Sequence, residues 1–216
     1  MYVGRIVAVG RTPEGRNAVM YRVSSRSFPN RRTVETPLAL AVVPREGHES
    51  DLSKNPYIAY NCLRLAGEVA VATNGTQTDP IAEKVAAGTS VRDAMVQALV
   101  TLDYEKDDYN TPRIAVAVAR GTEAGWGGIV RRDGLHVRAL PLQNGRCCYF
   151  ATYEIADPRE ETAGAFEAAT AEEAARWVVT GGPFADLEKP VCAAAAVETD
   201  AGFATAGYTV EAESAA

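Results

Sequence analysis

The stretch NGTQTDPIAEKVAAGTSVRDAMVQALVTL, residues 74–102, decides how the fold is read, because it sets two helices together in the middle of a chain otherwise made of short apolar runs. Asp79 followed by Pro80 has the order of an N-cap and a first-turn proline, and Ala86 and Gly88 mark an end. Ser90 with Asp93 three positions on resembles a capping box. Behind it Val91, Ala94, Met95, Ala98, Leu99 and Leu102 keep the i, i+3, i+4, i+7 spacing of one buried face. A third helix is expected from about Thr170 to Thr180, with Thr170 as cap and Glu173 at the third helical position. Around these, runs rich in valine, isoleucine and alanine at 5–9, 18–23, 38–43, 57–65, 69–73, 114–119, 127–131, 135–140, 147–153, 191–198 and 203–210 read as strands. RRDGLHVRAL, residues 131–140, holds an Asp-Gly turn between two of them and predicts a hairpin. Many strands, two helices grouped centrally and one near the end predict α+β layering, with antiparallel sheet covered by helices. No repeat or linker interrupts the chain, so residues 1–216 are expected to form one domain. The acidic, alanine-rich IADPREETAGAFEAATAEEAA, residues 155–175, in its loop portion, and the final EAESAA are the expected flexible parts.

The chain has 216 residues, 47% of them hydrophobic, enough to bury a sizeable core. Its net charge of −6 argues against a general nucleic-acid binder. The charge is uneven: residues 1–32 carry seven arginines against one acid, Glu14, a net of +6, which leaves −12 on the rest. An acidic protein with one arginine-rich segment suits a small anion better than a polymer. Four cysteines without a C-x-x-C pair fit reduced thiols in a cytoplasm, and two histidines leave little from which to build a metal site. No apolar run approaches the ~20 residues of a membrane span.

Three segments could carry chemistry. YRVSSRSFPNRR, Tyr21–Arg32, holds four arginines, three serines and an asparagine with no acid to pair them. Guanidinium binds phosphate through paired donors, and serine, asparagine and backbone N–H groups can fill the remaining oxygens. By the period-two rule Arg22, Ser24 and Arg26 share a face, and Phe28-Pro29 turns the chain so that Asn30 and Arg31 come back toward it. A solvated surface loop would have the same composition, so both readings stay open. DYEKDDYNTPR, Asp103–Arg113, puts four carboxylates beyond a helix C-terminus, where the dipole favours cations. Lys106 between Glu105 and Asp107 could combine proton transfer with charge stabilisation, or the loop could simply be exposed. NPYIAYNCLRL, Asn55–Leu65, alternates Tyr57, Ala59, Asn61 and Leu63 against Ile58, Tyr60, Cys62 and Arg64. Tyr60 and Asn61 each need a core partner or a ligand if buried.

Taken together, MYVGRIVAVGR, YRVSSRSFPNR, EGHE, NPYIAYNC, TNGTQTDPIAEKV and DYEKDDYNTPRIA resemble the archaeal-type IMP cyclohydrolase family, strongly over residues 1–120 and loosely beyond. The resemblance implies a four-layer αββα sandwich similar to the N-terminal nucleophile hydrolases. It also implies closure of 5-formamidoimidazole-4-carboxamide ribotide to IMP with loss of water, the last step of purine synthesis, without metal or organic cofactor. Met1 is followed by Tyr2, so the processed Cys, Ser or Thr of an N-terminal nucleophile amidohydrolase is not expected. On this resemblance the catalytic residues are Tyr60, Glu105 and Lys106, with Glu105 as base and Tyr60 and Lys106 as donors to an oxyanion. Substrate is held by Arg22, Ser24, Ser25, Arg26, Asn30, Arg31, Asn61, Asn74 and Asp107. The expected partner is a small purine ribotide, with no nucleic acid and no membrane, for a cytoplasmic homo-oligomer. A nucleotide monophosphate sensor and an amidohydrolase on the same fold are the alternatives.

Overall fold

The computed structural model describes residues 1–157 and 164–211. Residues 158–163 and 212–216, which include part of the acidic stretch and most of EAESAA, lie outside the described residues.

Two antiparallel sheets face each other. One has six strands in the order β11 (Gly164–Ala165), β10 (Arg146–Ala151), β1 (Ile6–Arg11), β2 (Asn17–Ser24), β12 (Pro190–Thr199) and β13 (Gly202–Thr209). The other has seven in sequence order: β3 (Arg31–Thr36), β4 (Ala39–Pro44), β5 (Tyr60–Ala66), β6 (Val69–Thr73), β7 (Arg113–Ala119), β8 (Ala124–Arg131) and β9 (Gly134–Pro141). Every run predicted as a strand contributes to one of these. The alternation of β1 and β2 shows why the sheets stack. Val7, Val9, Val19, Tyr21 and Val23 enter the layer between them, meeting Leu63, Ala72, Val116 and Ile129, while Ile6, Ala8, Ala18 and Met20 point the other way. The predicted hairpin is present, with Arg131 opposite Gly134 and Ile129 opposite His136.

The helices are α1 (Asp51–Lys54), α2 (Thr78–Ala86), α3 (Val91–Leu102) and α4 (Ala171–Thr180). The Ser90 side chain caps α3 by accepting from Asp93 N, and Thr170 with Glu173 forms a full capping box on α4. Asp79 does not cap α2. It lies inside the first turn, where it accepts from Asn61 and Arg64. The buried stripe Ala94, Met95, Ala98 and Leu99 packs on the outer face of the seven-stranded sheet, and α4 packs on the outer face of the six-stranded one.

The expected four-layer αββα sandwich is corrected by these lengths. Among the described residues thirteen strands in two sheets make up the molecule, and the helices are only 4, 9, 12 and 10 residues long. A single α4 on one side and the α2–α3 pair on the other cover patches of sheet; neither forms a layer like that of an N-terminal nucleophile hydrolase. The physical reason lies in the strands beyond these patches. Along β9 and β3 much of the surface is open to solvent, with polar residues such as Arg132, His136, Arg138, Glu35 and Thr36 on or beside it.

Candidate active site

The starts of β1, β3, β5 and β7 and the end of β2 gather at one end of the sandwich, and the buried Glu105, Arg31 and Arg113 lie there with them. Arg5 leads into β1 from Gly4, whose φ of 73° suits glycine and whose added Cβ would stand 2.2 Å from Thr152 Oγ1. Arg5 Nη2 donates to Glu105 Oε2 at 3.1 Å. From the other sheet, Arg113, the first residue of β7, brings Nη1 to 3.7 Å from Glu105 Oε1 and donates to Gln77 Oε1 at 3.0 Å. Gln77 donates to Asn74 Oδ1 at 2.8 Å, and Asn74 donates to the Pro112 carbonyl at 2.9 Å, so the turn after β6 is tied to the start of β7. Gly75 leaves the space this needs: a Cβ there would lie 2.7 Å from Arg113 Nη1 and 2.8 Å from Gln77 Oε1.

Glu105 sits in the loop after α3, 1% exposed. Its N–H donates to the Thr111 carbonyl, while Asp107 accepts from the N–H and hydroxyl of Thr111 and closes the loop. Among the described residues, Glu105 Oε1 and Arg113 Nε are buried without a hydrogen-bond partner. Burial pushes the Glu105 carboxyl above its ordinary range, against the pull of Arg5 and Arg113. A buried carboxylate with one uncommitted oxygen is equipped to take a proton.

Within reach of the Arg5 charge, Tyr21 and Tyr60, one from each sheet, bring their hydroxyls to 2.5 Å. Their rings meet edge-on with centroids 6.3 Å apart. Burial raises Tyr60 to about 12 although the charges of Arg31 and Arg5 pull it down. Arg31, buried at the start of β3, gives its Nε to the Phe28 carbonyl. A cleft of about 310 Å³ opens above the cluster, lined by Tyr2, Arg5, Ser25, Ser27, Lys54 and Tyr153 among others. It shares Tyr2, Ser27, Tyr109 and Tyr153 with an outer cleft of about 530 Å³, where Arg26 stacks on the Tyr2 ring at 4.2 Å.

The predicted residues divide accordingly. Glu105, Tyr60, Arg31, Asn74, Asp107 and Ser25 come together, and Arg26 stands at the rim. Asn30, half-buried in the turn before β3, accepts from Arg45 N–H at its carbonyl. Arg22 and Ser24 do share a face, but it is the one beneath α4. Arg22 Nη1 donates to the Val179 and Phe184 carbonyls at 3.1 and 2.8 Å, Nη2 to Leu187 at 2.7 Å, and Nε to Ser24 Oγ at 3.0 Å. With its donors spent on protein and no exposure, Arg22 is corrected from a phosphate ligand to a structural arginine. Asn61 lies apart from the cluster as well: it points at α2 and donates to Asp79 Oδ1 at 2.9 Å. A bulge explains part of that region, since Leu40 pairs with Leu63 but Ala41 with Asn61, leaving Cys62 unpaired and Leu63 facing the core with Tyr60. Lys106 stands at the surface, outside this cluster, with its ammonium on Asp103 and over the Tyr104 ring at 3.4 Å. Sequence reasoning missed Arg5, Tyr21, Arg113, Gln77 and Tyr153. The available signal was an arginine at the threshold of an apolar strand, as in VGRIV and TPRIAV.

Among the described residues no helix is long and apolar enough to cross a membrane. A family profile described as IMP cyclohydrolase-like protein matches residues 2–202. A protein of Methanosphaera stadtmanae named IMP cyclohydrolase is 44% identical over 93% of this chain and 96% of its own length. One of the same name from Methanocella arvoryzae is 44% identical over 96% and 98%, and one from Halobacterium salinarum 48% identical over 90% of each chain. With a profile spanning almost all of its length and relatives at this identity, the chain belongs to the IMP cyclohydrolase-like family.

Proposed function

We propose that the protein is an IMP cyclohydrolase that closes 5-formamidoimidazole-4-carboxamide ribotide to IMP and releases water. The observation that carries this reading is the identity of 42–48% to proteins named IMP cyclohydrolase over at least nine-tenths of the chain. The buried Glu105–Tyr60 cluster supports it chemically. The carboxamide nitrogen attacks the formyl carbon, a C–N bond forms, and Glu105 takes the proton the nitrogen sheds. The formyl oxygen gains charge next to Tyr60 and Arg5, which donate to it. It then leaves as water on accepting protons, while the former formamide nitrogen loses its own and the C=N bond forms. Holding the two amide arms against each other is itself a large share of the rate. Arg31, Ser25, Ser27 and Lys54, with Arg26 at the rim, suit the ribotide 5′-phosphate. Both sheets contribute to this site, which supports one domain.

The test is optical. Formamido ribotide added to the protein acquires purine ultraviolet absorbance if the ring is closed; binding of IMP with no such change would make the protein a nucleotide sensor.

A further inference from the structure

Tyr21 belongs to no part of the site as read from sequence, yet its hydroxyl has one hydrogen-bond partner among the described residues, Tyr60 Oη at 2.5 Å. Two phenols share one hydrogen there, and distance alone lets either donate. Burial decides between them. Tyr21 is 0% exposed in the layer between the sheets, whereas Tyr60, in the same buried cluster, keeps 7% of its surface open at the start of its strand. Were Tyr60 the donor, the Tyr21 O–H would be shut in that layer with no acceptor among the described residues, the arrangement folded proteins avoid. With Tyr21 donating, its proton lies on the Tyr60 oxygen and the Tyr60 proton is free to leave the pair. Tyr60 is the member at the strand start, and the groups whose charge reaches the pair are Arg5, Arg31 and Cys62.

We infer that Tyr21 is a positioning residue for ring closure: by donating to Tyr60 it fixes the direction of the Tyr60 proton and makes Tyr60 the donor to the oxyanion. The inference rests on the proposed role of Tyr60. No net proton transfer along the pair is needed. As the formyl oxygen gains charge it draws on the Tyr60 proton, the Tyr60 oxygen becomes more negative, and the bond from Tyr21 strengthens. The gain exists in the transition state and is small in the bound substrate, so it belongs to kcat rather than KM.

The experiment is a double-mutant cycle of Tyr21→Phe and Tyr60→Phe, with folding followed by near-ultraviolet circular dichroism. Tyr21→Phe should lower kcat about 10- to 100-fold and leave KM within about threefold, and it should cost nothing further in the Tyr60→Phe background. Wild-type kcat in Tyr21→Phe, or an equal loss with and without the Tyr60 hydroxyl, overturns the inference. If Tyr60→Phe itself turns over at the wild-type rate, the role of Tyr60 falls, a result distinct from a silent Tyr21→Phe beside a crippled Tyr60→Phe. Should Tyr21→Phe fold poorly, 3-fluorotyrosine at position 21 keeps the ring and strengthens the donor. It should raise kcat severalfold only where Tyr60 is intact, and an unchanged kcat counts against the inference.

Discussion

Glu105 shows how one residue can be prepared for chemistry by conflicting surroundings. Burial favours the neutral acid, while Arg5 and Arg113 favour the carboxylate, and burial prevails, so the folded pKa is raised. The folded chain therefore holds this proton more tightly than the unfolded chain does. The group's contribution to stability falls as pH rises from the ordinary glutamate value to the raised one, and then levels off. Activity runs the other way, because a base must be ionised. The acid limb of kcat/KM should lie above the ordinary value of about 4.3, and a pH–rate series with no acid limb above that value would disprove the assignment. Glu105→Gln should lower kcat by about 10²- to 10⁴-fold in a folded protein, measured by the same absorbance assay. Glu105 could be found in the sequence because carboxylates beyond the end of α3 oppose the helix dipole. Arg5, Tyr21 and Arg113 could not, because each reads as an ordinary member or flank of an apolar strand until two sheets bring them together.

At the scale of elements, the end of α4 explains what became of the arginine expected on a phosphate. Val179 belongs to the last turn of α4, and Phe184 and Leu187 follow it; all three carbonyls accept from Arg22. A cation there satisfies carbonyls that a helix end leaves open and complements the dipole. Burial brings Arg22 down to about 10, which still leaves it charged at neutral pH. Arg22→Met should destabilise the fold by about 3 kcal/mol, read as a fall in Tm of roughly 6–12 °C, while KM for the ribotide stays within about threefold. A large rise in KM with unchanged Tm would return Arg22 to the phosphate. The turn between β6 and α2 gives the opposite pattern. Gly75→Ala would crowd Arg113 and Gln77 and so displace Glu105 indirectly. It should lower kcat about tenfold at little cost in Tm, and wild-type kcat would show that the cluster has slack. Helix caps at Ser90 and Thr170 and the Asp-Gly hairpin were legible because their rules are local. β3, with the sequence RRTVET, was not: its apolar content is too low, and it is a strand because β4 pairs with it.

On the scale of the whole molecule, eleven of the thirteen strands among the described residues and their antiparallel pairing follow from alternation and turns, but the layering does not. Whether three short helices become layers or patches depends on how wide the sheets grow, and sheet width is set by long-range pairing such as β2 with β12. The proposed site is a joint between the sheets, with Arg5 and Tyr21 on one side and Tyr60 and Arg113 on the other. A ligand seated there touches both, and its binding energy opposes their separation. IMP at 100 times its Kd should therefore stabilise the protein by about 2.7 kcal/mol, raising Tm by roughly 5–11 °C for a chain of this length. Hydrogen exchange should localise the effect, since amides at the starts of β1 and β7 and the end of β2 ought to slow together when IMP is added. Slowing confined to the six-stranded sheet near α4, or to the seven-stranded sheet near α2, would place the ligand on an outer face with Arg22 or Asn61. Slowing on both sheets at this one end is what a site between them requires.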